Sequence, residues 1–383
     1  MSKFSIREQF NDDRREELKR LSTLGLMLNH LILRHFRNYE HAEVSFSPSI
    51  NIIHGDNGQG KSNLLEAIYL VSTGRSFRTS RLCDLIRSGS TYFYLEAHFT
   101  KDTLSQILKI FYDEKKRKVE YNNTLYTTLT SVLGILPGVL LSPDDHALIS
   151  GSPTERRRFI DMLLAQMDPL YLHHLGRYFK ALKQRNHLLR HKNSHSLTAW
   201  EQMMAPSAAY IMTKRNTALL DLKSPLHKWM DYLSLGKDTL DMTYASSIAF
   251  NPPEDLSQHL STRWFQDRPK EMHIGTTLFG PHRDDLSIQI SEKEAKTFSS
   301  EGQKRCGTTA LRFAQWEQFY KLTQSMPLLS IDDFGIQLDP QRELLLYQNL
   351  NHFGQVFLTT PKVPSHTHSQ LIYIEKGTIL PSS

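Results

Sequence analysis

An eight-residue segment sets the strongest constraint on what this chain can fold into. It fits the pattern G-x-x-x-x-G-K-[ST] and reads Gly55-Asp56-Asn57-Gly58-Gln59-Gly60-Lys61-Ser62. The apolar pair before it, Ile52-Ile53, is typical of a strand, and an apolar helical face starts after it at Leu64. Because strand, glycine-rich loop and helix are the context that this pattern needs, the sequence predicts a nucleotide-binding α/β fold.

Each residue type in this segment has a chemical role in binding phosphate. Glycines let the backbone curl so that successive N–H groups face an anion, and the helix that starts near Asn63 adds the favourable end of its dipole. In such a loop Lys61 reaches the β- and γ-phosphates, and the hydroxyl of Ser62 coordinates Mg²⁺. We therefore predict that residues 55–63 bind ATP with Mg²⁺; the alternative is a glycine-rich turn without a ligand.

A short apolar run late in the chain ends in two carboxylates, Asp332 and Asp333. At the end of a buried strand, Asp332 is expected to hold Mg²⁺, and Asp333 is placed to orient an attacking water as a base. By itself such a strand end is more often an ordinary turn. The phosphate loop earlier in the chain favours the catalytic interpretation.

The segment Ser300-Glu301-Gly302-Gln303 precedes a helical pattern. Serine and glycine at a helix N-terminus can bind an anion, so Ser300, Gly302 and Gln303 are candidate nucleotide contacts. The alternative is an ordinary helix cap. The phosphate loop, this segment and the Asp332 strand follow one another in the order of an ABC-type ATPase head. About 240 residues separate Lys61 from Ser300, which predicts a short helical arm inserted into the head.

Changes in pattern along the chain predict the domain boundaries. We expect a poorly ordered extension at residues 1–26, a first head segment at 27–148, a helical insertion at 149–268 and a second head segment at 269–383. The fold class is thus an α/β, ABC-type P-loop head that is split in sequence and carries a mainly helical second domain. A natural start at Met27 is an alternative interpretation of the N-terminal region.

Two capping-box patterns predict helix starts within the insertion, Ser152-Pro153-Thr154-Glu155 and Thr198-Ala199-Trp200-Glu201. Between them a 4-3-4-3-4 spacing predicts a helical seam with one charged member. The seam consists of Tyr171, Leu175, Tyr178, Leu182, Arg185 and Leu189. Because the link after it is short, the two helices should lie antiparallel.

The formal charge of the chain, +6, is concentrated in one segment. Residues 155–192 hold nine Lys and Arg against three acidic residues, which accounts for the whole excess. A solvated helix face is one explanation, and neutralisation of DNA phosphates is the functional one. The candidate DNA contacts are Arg156, Arg157, Arg158, Arg177, Lys180, Lys183 and Arg185. No base-reading motif accompanies them, so we expect recognition of the backbone and of shape.

Cysteine count and hydropathy indicate in which compartment of the cell the protein works. The two cysteines, Cys83 and Cys306, exclude a disulfide scaffold and a four-cysteine zinc site. No run approaches the ~18 apolar residues that are needed to cross a bilayer. We therefore expect a reduced, cytoplasmic protein without a membrane partner.

Further motifs make the chain resemble the RecF family of bacterial recombination-repair ATPases, whose heads are similar to those of SMC and Rad50 proteins. The resemblance covers about residues 27–380. It rests on His35-Phe36-Arg37-Asn38-Tyr39, Lys61-Ser62-Asn63-Leu64-Leu65-Glu66-Ala67, Gly74-Arg75-Ser76-Phe77-Arg78, Ser142-Pro143-Asp144-Asp145, Gly151-Ser152-Pro153 with Arg156-Arg157-Arg158-Phe159, Gly280-Pro281-His282-Arg283-Asp284-Asp285 and Glu375-Lys376-Gly377.

The resemblance implies an ATP-dependent DNA-binding protein that forms a homodimer around two nucleotides. It implies action on double-stranded and gapped DNA, where the chain would help the mediators RecO and RecR to load RecA on single strands. It also implies nucleotide contacts by Arg37 and Asn38, by Asp339 in a loop that faces the partner subunit, and by Thr359 at the switch position.

Three departures from ABC transporters imply slow turnover. Glu301 stands where their signature carries glycine, Ser330 interrupts the apolar run, and Asp333 replaces the usual glutamate by a shorter side chain. We therefore expect a weak DNA-dependent ATPase that uses hydrolysis as a timer. Two other functions stay open: a small-molecule P-loop kinase, and a DNA-structural clamp without significant hydrolysis.

Overall fold

The computed structural model describes residues 25–249, 255–335, 340–361, 363 and 369–380. For residues 340–342 it describes the backbone and not the side chains. These residues form two compact units. The first, here called the head unit, comprises the described residues up to Asp145 and those from Gln315 onward. The second, the arm unit, is His146–Ala314. Of the predicted extension, only residues 25 and 26 lie within the described residues.

Fifteen strands occur in the described residues. They are β1 (Met27–Phe36), β2 (Tyr39–Ser45), β3 (Ile50–His54), β4 (Tyr92–Lys101), β5 (Leu104–Asp113), β6 (Arg117–Tyr121), β7 (Thr124–Tyr126), β8 (Gly138–Leu141), β9 (Leu240–Ala245), β10 (Asp285–Ile290), β11 (Lys293–Glu294), β12 (Leu328–Ile331), β13 (Val356–Thr360), β14 (Gln370–Glu375) and β15 (Thr378–Leu380).

Nine α-helices and four short 3₁₀ helices accompany the strands in the described residues. The α-helices are α1 (Lys61–Thr73), α2 (Ala147–Ser150), α3 (Pro153–Met167), α4 (Pro169–Arg190), α5 (Leu197–Ser234), α6 (Leu256–Ile274), α7 (Ala295–Phe298), α8 (Glu301–Thr323) and α9 (Pro340–Asn349). The 3₁₀ helices are Leu82–Leu85, Leu129–Val132, Pro143–His146 and Leu350–Phe353.

The head unit contains two six-stranded sheets. One is antiparallel, in the order β2-β1-β4-β5-β6-β7. The other has the order β15-β14-β3-β13-β12-β8 and is parallel except for β15 at its edge. One hydrophobic core contains buried residues of both sheets and of α1. Because β3, β13 and β12 are adjacent and parallel, their C-terminal ends meet at one edge of the sheet.

Alternating burial explains the antiparallel sheet. In β4 the side chains of Phe93, Leu95, Ala97 and Phe99 are buried, and the residues between them are only partly covered. This period of two places one face on the core and leaves the other towards solvent. The sequence predicts strands at residues 92–99, 107–112 and 119–121, and the structure confirms them as β4, β5 and β6.

The arm unit combines long helices with a three-stranded antiparallel sheet, β11-β10-β9. Its helices α4 and α5 lie antiparallel, because their contacts run in opposite directions. Tyr210 of α5 bonds Asp168 at the start of α4, whereas Glu201, earlier in α5, bonds Arg185 near the end of α4. The predicted helical hairpin is therefore confirmed.

The boundary between the two units differs from the sequence prediction. The sequence predicts a return to the head at residue 269, but residues 269–314 belong to the arm unit. Strand β10 pairs with β9 there, with Leu286 opposite Tyr244, and Phe313 of α8 packs against Trp229 of α5. Such pairing joins residues that are far apart in sequence, and the hydrophobic pattern of a single strand does not reveal it.

Both capping-box patterns mark helix starts, to within one residue. Helix α3 begins at Pro153 as predicted, although the side chain of Ser152 forms no capping hydrogen bond. Helix α5 begins at Leu197, and the carboxylate of Glu201 binds Arg185 and Arg268 instead of a helix end. At the second site a tertiary ion pair therefore replaces the capping contact of Glu201, although the helix begins where the sequence predicts.

Among the helices of the described residues, none is long and apolar enough to span a membrane.

Candidate nucleotide-binding site

The phosphate loop links β3 to α1 in the head unit. Gly60 precedes the helix with a φ of 122°, and a Cβ at this position would lie 2.7 Å from Nδ2 of Asn38, so only glycine fits. Lys61 opens α1 and is buried. Its Nζ donates to the carbonyl oxygens of Gly55 and Asp56, each at 2.8 Å. These bonds hold the ammonium group inside the loop.

Asn38 lies in the turn between β1 and β2 and joins this turn to the phosphate loop. Its Nδ2 donates to the carbonyl of Gln59 at 2.9 Å, and its Oδ1 accepts from Asn63 at 2.8 Å. From the β14–β15 turn, the N–H of Gly377 donates to the same carbonyl at 2.9 Å, and a Cβ on Gly377 would lie 2.6 Å from the carbonyl oxygen of Asn38. Two turns from opposite ends of the chain thus hold the loop backbone at Gln59.

Ser62, Asp332 and Thr359 meet beside this loop. Oδ1 of Asp332 accepts a hydrogen bond from the Ser62 hydroxyl at 2.9 Å and from the Thr359 hydroxyl at 2.8 Å. Burial raises the pKa of Asp332, and the nearby charge of Asp333 also raises it, while the two hydroxyl hydrogen bonds act in the opposite direction. The structure therefore brings together the serine and the acidic strand end that the sequence predicts to act together.

The donor set at Ser62 and Asp332 fits Mg²⁺. This ion prefers oxygen ligands in an octahedron at about 2.0–2.1 Å, which places neighbouring ligands about 3 Å apart. The Ser62 Oγ and Asp332 Oδ1 atoms are 2.9 Å apart. Within the described residues, no cluster of three His, Cys, Asp or Glu side chains could hold a metal ion. A Mg²⁺ held by a hydroxyl, a carboxylate and nucleotide phosphates needs no such cluster.

Asp333 follows Asp332 in a left-handed conformation, with a φ of 55°. Its N–H donates to the Thr359 hydroxyl at 2.8 Å, and the N–H of Phe334 donates to the Thr359 carbonyl at 2.8 Å. The hydroxyl of Thr359 thus accepts from one aspartate and donates to the other. Thr359 orients both acidic residues, a role that the family resemblance did not specify.

Arg37 binds a buried carboxylate of the head unit. Its Nε and Nη2 donate to the two carboxylate oxygens of Glu66 at 2.8 Å, and its Nη1 donates to the carbonyl of Asp84 at 2.8 Å. Glu66 is fully buried on α1 and also accepts from the Ser76 hydroxyl. All three guanidinium nitrogens are therefore used within the head unit. The contact between Arg37 and nucleotide that the family resemblance implies stays a prediction.

Arg78 is a cation at this site to which the sequence alone assigned no role. Its Nη1 donates to Oδ1 of Asn63 at 2.8 Å and lies 4.0 Å from the Glu66 carboxylate. Its charge acts to lower the pKa of Asp332. The sequence does contain an indication of this ion-pair group. Glu66 is a carboxylate within the apolar run of α1, and a buried carboxylate needs a cationic partner.

In the arm unit, Ser300 and Gln303 form a reciprocal cap at the start of α8. The N–H of Gln303 donates to the Ser300 hydroxyl at 3.2 Å, and the N–H of Ser300 donates to Oε1 of Gln303 at 2.9 Å. Gly302 lies in the first turn, where N–H groups have no partner within the helix. The predicted contact residue Asp339 lies outside the described residues.

The predicted DNA contacts separate into interior and exposed residues. Arg185 is fully buried and pairs with Glu201 at 2.9 Å and with Glu271 at 2.6 Å. Its predicted DNA contact is wrong, because its seam position places it inside the arm. Arg156 is also buried, and it donates to both carboxylate oxygens of Asp285, at 2.7 and 2.8 Å. The same correction applies to Arg156.

The remaining candidates are more accessible. Arg157 is partly buried and donates to the carbonyl of Asp284 at 2.7 Å. The other four are exposed, namely Arg158, Arg177, Lys180 and Lys183.

Comparison with known proteins identifies the family. The model of the RecF/RecN/SMC N terminal domain matches residues 27–374. A DNA replication and repair protein RecF from Protochlamydia amoebophila is 44% identical over 345 residues, which cover 89% of this chain and 96% of that protein. The chain belongs to the RecF family. The RecF of Chlamydia abortus is 37% identical over 344 residues, covering 89% of this chain and 93% of that protein.

Solved RecF structures share this fold. A recombination mediator RecF of the RecFOR pathway, solved with ATP, matches with a TM-score of 0.88 at 28% identity and covers 94% of this chain and 98% of that chain. The Smc head domain of Pyrococcus furiosus matches with a TM-score of 0.55 at 18% identity, over 92% of this chain and 95% of that chain, which supports the fold alone. The predicted ABC-type ATPase head is confirmed.

Proposed function

We propose that this chain is an ATP-dependent DNA-binding ATPase of recombinational repair, which helps RecO and RecR to load RecA. The observation that carries the proposal is the meeting of Ser62, Asp332 and Thr359 beside the phosphate loop. Membership of the RecF family supports the repair role, since a RecF of the RecFOR pathway has been solved with ATP.

The head unit supplies the groups that ATP hydrolysis needs. Lys61 would bind the β- and γ-phosphates, and Ser62 and Asp332 would hold Mg²⁺, whose charge offsets that of the phosphates. Asp333 would orient the attacking water. Its side chain is one methylene shorter than that of glutamate and reaches less far, so we expect slow hydrolysis that times the release of DNA.

A homodimer formed on ATP would complete each nucleotide site. Ser300 and Glu301 are exposed at the N-terminus of α8, where N–H groups and the helix dipole favour an anion. We propose that Ser300, Gly302 and Gln303 face the nucleotide of the partner subunit. The dimer would act on double-stranded and gapped DNA in the cytoplasm.

The test is the ATP dependence of dimerisation and hydrolysis. Lys61→Ala should abolish dimer formation with ATP in light scattering, because the β- and γ-phosphates lose their cation. Asp332→Asn should bind ATP and stay dimeric on DNA without hydrolysing it. Lys115→Ala, at an exposed lysine of the β5–β6 turn, is the matched control. An unchanged dimer fraction in Lys61→Ala contradicts the proposal.

Phosphate release separates this function from the alternatives. An ATPase releases phosphate with DNA as its only addition, whereas a small-molecule kinase needs an acceptor. A DNA clamp without hydrolysis would keep its activity in Lys61→Ala. Either of those results would replace the proposed function.

A further inference from the structure

Helix α4 of the arm unit has two opposite faces. At 100° per residue, its buried face is the seam that includes Tyr171, Tyr178 and Leu189. The opposite face is exposed and carries four cations, which we call the α4 row: Arg177, Lys180, Lys183 and Arg190. Helix α4 contains no acidic residue, whereas α3, α5, α6 and α8 each contain at least two.

Among the residues that the structure describes, no carboxylate forms an ion pair with the α4 row. Within the described residues, the α4 cation that pairs with carboxylates is the buried Arg185, and no carboxylate lies within ion-pair distance of the four outward cations. Arg177, Lys180 and Lys183 follow one another at a spacing of three, so their charges repel along the helix surface. A polyanion that covers this face would relieve the repulsion.

We infer that the α4 row binds the phosphate backbone of duplex DNA. The inference rests on the proposed function and names the surface that contacts the DNA. From Arg177 to Arg190 the row extends for about 20 Å along the helix, which corresponds to about 6 base pairs of duplex. Each phosphate that a row cation neutralises releases counterions, so binding should depend on salt.

The chemistry of this face favours duplex over single strands. Single-stranded nucleic acid is usually held by aromatic side chains on which the bases stack. The centre of the exposed face holds Lys180, Gln184 and His187 and no Phe, Tyr or Trp; Phe179 lies at its edge. Backbone contact by a rigid helix fits the regular phosphates of a duplex better.

The test measures duplex binding at several salt concentrations with ATP present. The triple variant Arg177→Gln, Lys180→Gln and Lys183→Gln should bind a labelled 20-base-pair duplex at least 10-fold more weakly, and the slope of log affinity against log salt should become less steep by about 2–3. Circular dichroism checks that the helices are intact. Fluorescence anisotropy gives both quantities.

A matched pair of single variants separates position from net charge. Lys180→Glu and Lys270→Glu change the net charge equally, and Lys270 is an exposed residue of α6 that does not belong to the row. Only Lys180→Glu should weaken duplex binding strongly. Equal losses in both variants, or an unchanged salt slope in the triple variant, overturn the α4 row while leaving the proposed function intact. Failure of the wild type to bind duplex with ATP overturns both.

Discussion

The hydroxyl of Ser62 lies 2.9 Å from the carboxylate of Asp332, although 270 positions separate them in sequence. The pair forms because β3, which leads to Ser62, and β12, which leads to Asp332, are both parallel to β13 and adjacent to it. Thr359 of β13 bonds the same carboxylate oxygen from between them. Strand order therefore assembles the nucleotide site.

The hydroxyl of Thr359 should be needed for hydrolysis and not for nucleotide binding. Thr359→Val removes the bond to Asp332 and leaves the N–H of Asp333 without its partner. A hydrogen bond to a charged group is worth about 1.5–3 kcal/mol, so we expect ATP turnover to fall by about 10- to 100-fold. Thr359→Ser keeps a hydroxyl and is the control. Equal ATPase rates in the valine and serine variants would argue against this role.

Gly377 should be needed for the shape of the phosphate loop. Gly377→Ala places a Cβ 2.6 Å from the Asn38 carbonyl, at a φ of 74°. Gly89 has a φ of 83°, and no atom lies within 4 Å of the place that a Cβ would take, so Gly89→Ala shares the backbone strain without the clash. Strain costs about 1–2 kcal/mol in both, and overpacking adds about 1–3 kcal/mol only in Gly377→Ala. Nucleotide titration should show weaker ATP binding in that variant alone.

Two neighbouring cations of α4 should behave in opposite ways. Arg185→Met leaves Glu271 buried without its cation, and burial already raises the pKa of Glu271. We expect a loss of about 3–5 kcal/mol in the free energy of unfolding. Lys183→Met, on the exposed face, should change stability by less than about 0.5 kcal/mol and should weaken duplex binding. Urea unfolding measures the free energy of unfolding of both variants. Similar losses of stability in the two would refute the assignment of Arg185 to the interior.

Acid should destabilise the arm unit through His282. Its Nε2 lies 3.1 Å from the Thr277 carbonyl, which only accepts, so Nδ1 accepts from the Tyr178 hydroxyl at 2.6 Å. Burial lowers the pKa of His282 to about 4. Since an unfolded histidine has a pKa near 6.5, the unfolded chain takes up a proton first, and the stability present above about pH 6.5 decreases as pH falls towards 4.

The size of this effect can be measured against a variant without the imidazole. Between pH 7 and pH 5 the contribution of His282 to the free energy of unfolding should fall by about 2 kcal/mol. His282→Gln removes the titration, so its stability should depend less on pH by that amount. Parallel pH profiles of the wild type and this variant in urea unfolding would show that His282 is not the group responsible.

Much of the fold could be predicted from the sequence, because local pattern reports burial. The period-two burial of β4 and the seam of α4 are both visible in the chain, and so is the position of Lys61 before an apolar helix. The errors lie where a residue acts through a distant partner. Arg185 and Arg156 belong to the basic segment, yet they bind the carboxylates of Glu201 and Asp285 inside the arm unit.

The order of phosphate loop, serine–glycine segment and acidic strand was enough to predict the ABC-type head, since each motif carries its own chemistry. The tertiary structure alone decided that Thr359 holds both aspartates, that β10 belongs with β9, and which arginines of the basic segment lie inside. Spacing along a chain fixes which face of one element is apolar. It does not state which other element covers that face, and this choice determines whether a charged side chain binds a carboxylate or faces solvent.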